Sequence, residues 1–230
     1  MSFTQWLQQL DFTNLLYLGI SALGALVCIC FHESAHGLVA LWMGDPTAKR
    51  MGRITLNPLR HVDLVGLIML AVAHVGWAKP VPIDARNFRD PKAGMVITAL
   101  AGPASNLLLA LVMGFFSAVT ELAYAVTGGS DILYYLFMFF YYTTVISCGL
   151  AVFNLIPISP LDGSKVLFAF LPRNLYFKLM RYERYGMILL SVLVWLGVMD
   201  GVLTTAVEAV SDFVMQLVWP AATALVGLFL

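Results

Sequence analysis

The chain alternates between long runs with no Asp, Glu, Lys or Arg and short stretches where the charge collects. Residues 12–31, 93–120, 132–161 and 213–230 are free of all four. A helix needs about 20 largely apolar residues to cross a bilayer, so each run predicts a spanning helix. The apolar segment 185–199 predicts a fifth, if it extends to about Leu203 with Asp200 at an interface. Segment 64–78 is shorter and leaves through Lys79-Pro80. It predicts a re-entrant or short tilted element. Arg53-Ile54-Thr55-Leu56 and Pro80-Val81-Pro82-Ile83 have strand-like composition, the second confined to an edge by its prolines. The expected architecture is an all-α polytopic membrane protein. It has five spanning helices plus one membrane-dipping element, six segments in all, with a short re-entrant or strand-like piece between the first and third.

The basic residues orient it. All 13 Lys and Arg fall within 49–60, 79–92 and 165–184. Short loops rich in Lys and Arg stay cytoplasmic. The N-terminus is therefore expected outside, 45–92 inside, 121–131 outside, 162–185 inside and 204–212 outside. Both flanks of 64–78 come out cytoplasmic, which agrees with a re-entrant element.

Composition narrows the class. Of 230 residues, 60% are hydrophobic and 11% charged. Soluble domains run at about 45–50% apolar and about 25% charged, so an ordinary soluble globule is excluded. Disorder, which needs low hydrophobicity and high net charge, is excluded too. Thirteen Lys and Arg balance 13 Asp and Glu, leaving no basic field for nucleic acid. Three cysteines in apolar settings do not make a disulfide framework. The first apolar run lacks a positive n-region and does not read as a cleaved signal peptide. One integral-membrane domain over 1–230 is expected, with its core at about 12–170 and further helices at about 185–230.

The chemistry starts at His32-Glu33-Ser34-Ala35-His36. Two His at i and i+4 lie one turn apart on one helix face and can share a metal, while Glu33 can reach a metal-bound water. An ionisable residue inside an apolar helix is costly without a partner or water. Catalytic zinc takes three protein ligands and keeps one open position, so a third ligand must come from elsewhere. Asp162, in Asn154-Leu155-Ile156-Pro157-Ile158-Ser159-Pro160-Leu161-Asp162-Gly163, is the best candidate. The charge pattern puts it on the same side of the membrane as the His pair. Its plain alternative is a turn carboxylate at a helix end.

These residues resemble the site-2 protease family of intramembrane zinc metalloproteases, peptidase family M50, in its compact prokaryotic branch without PDZ or CBS domains. The match rests on Phe31 to His36, Ala101-Gly102-Pro103-Ala104-Ser105-Asn106 and the Asn154 to Gly163 run. Leu56-Asn57-Pro58-Leu59 and Gly76-Trp77-Ala78-Lys79-Pro80-Val81-Pro82 also resemble that branch. The resemblance covers about residues 25–170. It implies His32, His36 and Asp162 as ligands of one zinc ion per chain and Glu33 as general base. It makes Asn154 and Pro160 shapers of the site near substrate.

The expected activity is endopeptidase cleavage in or near transmembrane segments of membrane proteins, with a metal-activated water as nucleophile. Substrate peptides and the lipid bilayer are the partners. The site would lie toward the cytoplasmic side of a prokaryotic cytoplasmic membrane. Two alternatives of another class are a non-hydrolytic metal transporter or sensor and an inactive scaffold. The first does not explain a glutamate between the two histidines, and nothing in the motif supports the second, since all four expected positions are filled. Residues near Pro80–Ile83 would offer an edge to an unwound substrate, or else serve as a plain anchoring loop. Cys28, Cys30 and Cys148 read as packing, His61 and His74 as interfacial, and Asn106 as an interhelical hydrogen-bonding residue. Arg173 to Tyr185 reads as a membrane-surface anchor.

Overall fold

A computed structural model describes residues 12–66, 77–172, 175 and 183–228. Among them the chain is helical, with helices α1 (Phe12–Met43), α2 (Pro91–Val126), α3 (Asp131–Asn154), α4 (Asp162–Phe168), α5 (Glu183–Trp195) and α6 (Asp200–Val226). Among the described residues, four stretches are long and apolar enough to cross a membrane: Asn14–Met43, Pro91–Val126, Asp131–Asn154 and Asp200–Val226. The protein is an integral membrane protein.

The ends of the helices follow local chemistry. α1 stops at Gly44, whose φ of 113° is open to glycine and costly for other residues. α2 starts at Pro91, with the Asp90 carboxylate accepting the main-chain N–H groups of Lys92 and Ala93 at 2.9 and 3.2 Å. Aspartate is a favoured cap and proline suits the first helical position. Gly128 and Gly129, at φ 77° and 88°, turn the chain from α2 into α3.

α2 is the central helix and packs against α1, α3, α4 and α6. Some 44% of its apolar window is buried inside the protein, against 17–28% for the other three spans. Small residues make this possible: Gly94, Ala99, Gly102, Ala110, Gly114 and Ala118 are all buried on it. Close backbone approach through small residues is how membrane helices associate without a hydrophobic driving force between them.

Two expectations about the C-terminal part change. The 185–203 segment is not one continuous helix: among the described residues α5 covers Glu183–Trp195, and 200–203 belong to α6. α5 ends near Gly197, at φ 65°. The expected outer loop at 204–212 lies inside α6. Asp200, Glu208 and Asp212 mark polar positions on that helix and do not end it. No glycine or proline interrupts residues 202–219, and an acid in the first turn suits the helix dipole. The expected re-entrant element at 64–78 falls largely outside the described residues. So do His74 and most of the basic-aromatic stretch 173–185. Neither strand-like piece forms a strand among the described residues, where the pairing there is a single antiparallel bridge, Val62 with Ala78.

Between α1 and α2, a cap of short segments is tied to the end of α1 by Asp45. This carboxylate is fully buried. It accepts the Thr47 N–H at 3.0 Å, the Thr47 hydroxyl, the Asn87 amide at 2.8 Å and the Asp84 N–H at 2.7 Å. Burial pushes its pKa up, but these donors outweigh burial and hold the carboxyl below its ordinary value. A depressed carboxylate contributes stability above its unfolded pKa of about 4, and loses it as pH falls through the folded value. Asp45→Ala strands several buried donors. It should lower the apparent melting temperature by about 6–10 °C at neutral pH, and the gap from wild type should narrow below about pH 4. Thermal unfolding in detergent at several pH values measures this.

Candidate metal centre

α1 is about 48 Å long at 1.5 Å per residue. Its second half holds the H-E-x-x-H face. The Nε2 atoms of His32 and His36 lie 3.0 Å apart, with the rings edge to face. Asp162 opens α4, and its Oδ2 lies 3.2 Å from His32 Nε2 and 3.1 Å from His36 Nε2. All three side chains are buried, 6–7% exposed. Among the described residues they form a group able to hold a metal ion.

The donor set can be tested for zinc. Tetrahedral zinc with bonds of about 2.0–2.1 Å keeps its ligand atoms about 3.3 Å apart, close to the three observed edges. The tautomer also fits. His36 Nδ1 lies 2.7 Å from the Thr98 carbonyl, an acceptor only, so Nδ1 carries the proton. In the neutral ring the His36 Nε2 lone pair then faces the carboxylate oxygen of Asp162. Lone pairs converging at this range repel unless a cation stands among them. A histidine held through its other ring nitrogen by a carbonyl is the usual outer support of a metal ligand.

Gly102 makes the room. A Cβ there would stand 2.5 Å from Cε1 of His32 and of His36, and 2.5 Å from His36 Nε2. α2 thus offers bare backbone to both imidazoles. Gly163 plays the same part for the aspartate: a Cβ on it would meet the Leu155 carbonyl oxygen at 2.2 Å and that of Ile156 at 2.7 Å. The turn after α3 folds tightly onto the start of α4, which carries Asp162 inward. Lys165, one turn on, reaches Asp162 Oδ1 at 3.3 Å and balances part of its charge.

Glu33 is half-buried between the two histidines in sequence. Its Oε2 accepts the main-chain N–H of Val81 at 2.8 Å. Asn154 is the last residue of α3, and its Nδ2 donates back to the Leu150 carbonyl at 2.9 Å. Pro160 sits in the same turn, after a cis Ser159-Pro160 bond and two residues before Asp162. The structure therefore brings together His32, His36 and Asp162, sets Glu33 on the same helical turn, and leaves Asn154 and Pro160 bracketing the turn that delivers the aspartate.

Cys28 packs in the interior, its thiol 3.5 Å from the Thr143 carbonyl. His61 is buried and donates from Nε2 to the Thr55 carbonyl at 2.7 Å, a structural bond. The contacts of Thr98, Val81 and Lys165 with the site were not visible in the motifs. The first two act through main-chain atoms, which no side-chain pattern reports. Gly102 was visible only as a letter in Ala-Gly-Pro-Ala-Ser-Asn.

The family model described as "Peptidase family M50" matches residues 20–199. The chain belongs to peptidase family M50. It is similar to the "Putative zinc metalloprotease YwhC" of Bacillus subtilis (strain 168), with 38% identity over 192 residues, covering 84% of this chain and 87% of that one. It is also similar to proteins named "Putative zinc metalloprotease Rip2". The one from Mycolicibacterium smegmatis is 28% identical, over 82% of this chain and 72% of its own. The one from Mycobacterium tuberculosis is 28% identical, over 85% and 75%. No solved structure matches the chain. The expected metalloprotease activity and zinc cofactor thus agree with the family of this M50 peptidase, and the donor set of His32, His36 and Asp162 suits that metal.

Proposed function

We propose that this M50 protein is an intramembrane endopeptidase, hydrolysing peptide bonds in or near transmembrane segments of membrane-protein substrates. The observation that carries the reading is the convergence of His32, His36 and Asp162 within 3.2 Å of one another, on and beside a helix apolar enough to span. His32, His36 and Asp162 would hold one zinc ion. When bound, zinc acidifies water toward a pKa of about 7 and polarises the scissile carbonyl.

The chain's own groups do the rest. Glu33 takes the proton from the attacking water and passes it to the leaving amine. The Thr98 carbonyl keeps His36 in the ligating tautomer, and Gly102 lets the Cε1 edges of both rings approach the backbone of α2. Asn154 and Pro160 shape the approach of the substrate chain. A helical substrate must unwind before attack, because its carbonyls are otherwise engaged in its own hydrogen bonds. The Lys and Arg pattern supports an N-terminus outside, a site toward the cytoplasmic side, and segment 64–78 dipping into the membrane. Residues 1–230 act as one domain.

The test is cleavage in proteoliposomes of a single-span substrate by the purified protein, with metal content measured in parallel. Wild type should carry about one zinc per chain. A chelator should abolish cleavage and zinc should restore it. Asp162→Ala should lose most of its zinc and its activity together. Full zinc content in Asp162→Ala would remove that ligand from the reading, and chelator-resistant cleavage would remove the mechanism.

A further inference from the structure

We propose that Val81 is a positioning residue for Glu33: its main-chain N–H holds one oxygen of the carboxylate and leaves the other to carry the proton. This rests on the role given to Glu33 above. The contact joins residues 48 apart in sequence at 2.8 Å. The local sequence makes it selective. Pro80 and Pro82 have no N–H, so Val81 supplies the one main-chain donor across residues 80–82. Lys79 and Val81 each precede a proline, which restricts both to extended backbone. The run Lys79-Pro80-Val81-Pro82 is therefore a stiff strut whose one main-chain donor beyond Lys79 is the Val81 N–H.

The strut is anchored at Lys79 through both of its main-chain polar groups. Lys79 N–H donates to the His61 carbonyl at 2.8 Å, and the Arg53 guanidinium donates to the Lys79 carbonyl at 2.7 Å. His61 Nε2 donates to the Thr55 carbonyl at 2.7 Å. That same carbonyl accepts the Ser34 hydroxyl at 2.7 Å. The bonds form a closed circuit that leaves α1 at Glu33 and returns to it at Ser34. The buried Val81 side chain packs at Gly37, one turn further, where a Cβ would stand 3.4 Å from Val81 Cγ1 and 3.0 Å from Ile54 Cγ1. A glutamate on a flexible stem is thereby held to one arrangement before substrate arrives, and such preorganisation is where catalytic groups gain rate.

An anchoring contact alone would predict something different, and the experiment separates the two. Replacing Val81 by 2-hydroxyisovaleric acid through nonsense suppression turns the Pro80–Val81 amide into an ester. It removes the N–H and keeps the side chain. Val81→Pro removes the same N–H in an extended backbone. Val81→Ala keeps the donor and loses packing. Rates are measured in proteoliposomes, with zinc content of each variant. For the ester and Val81→Pro, kcat should fall about 100-fold with KM within about threefold of wild type and zinc retained. Val81→Ala should keep most of kcat even where its melting temperature drops. A second readout needs no activity. In metal-free protein, the infrared carboxylate band of Glu33, isolated by difference against Glu33→Gln, should move in the ester variant to the position of a carboxylate without that bond. A folded, zinc-loaded ester variant with wild-type kcat overturns the proposal. So does a Val81→Ala protein that loses kcat as fully as the ester, or an unmoved carboxylate band. If Glu33→Gln itself remains active, the role of Glu33 falls first; if it is inactive while the ester variant is not, only the positioning role falls.

Discussion

Glu33→Gln should lower kcat by about 10²–10⁴-fold while leaving about one zinc per chain, the range for losing a general base. That loss corresponds to roughly 3–5 kcal/mol of transition-state stabilisation. The substitution is a clean one here for a structural reason. The glutamine side chain keeps a carbonyl oxygen, so it can still accept the Val81 N–H that Oε2 now accepts. The cap stays tied to α1, and the three proposed ligands are untouched. What disappears is the ability to take a proton at neutral pH. Zinc content and melting temperature should therefore match wild type while turnover does not. Wild-type turnover in this variant would show that another group removes the proton.

Gly102→Ala should have the second largest effect, and its sign is informative. In a plain helix interior, alanine is more stable than glycine by about 1 kcal/mol. If Gly102 were only a helix residue, the change would be neutral or stabilising. Its added methyl would instead stand 2.5 Å from atoms of both imidazoles, closer than real Cβ contacts allow. The backbone of α2 cannot retreat easily, because the helix is packed against α1, α3, α4 and α6. The rings must turn, and turning His36 breaks its bond to the Thr98 carbonyl. Zinc affinity should fall by at least about 100-fold, beyond the usual cost of disturbing an outer-shell partner, and cleavage should fall with it. Equilibrium titration with a zinc-buffered series reads the affinity directly. An unchanged affinity would mean that the imidazoles have room that the structure does not show.

Much of the architecture was legible because membranes impose simple rules. Charge-free runs marked the cores of α1, α2, α3 and part of α6, since Lys, Arg, Asp and Glu are costly in hydrocarbon. The same rule said less about helix ends. α6 begins at Asp200 and carries Glu208 and Asp212 within it, because a helix can continue into water after its apolar stretch has ended. α5 shows the converse at its C-terminal end: the apolar residues continue to Met199, but the helix stops at Trp195 and the backbone turns at Gly197. The site divides in the same way. The His32 and His36 pair could be read from its spacing and Asp162 was a candidate from the charge pattern; the three side chains lie together. The Thr98 carbonyl, the Val81 N–H and the clearance at Gly102 were not legible in the sequence. Each is a property of the main chain, available only once α2 and the cap have been placed against α1.

The position of Asp162 has a consequence for how the protein is made. Two members of the proposed ligand set leave the ribosome early, in α1. The third waits for α2, α3 and the folded-back turn that Gly163 permits. On that set, a partly synthesised chain holds two imidazoles and no carboxylate to complete the centre. The full donor set then exists only once α3 and the turn after it have been made and folded back onto α1 and α2.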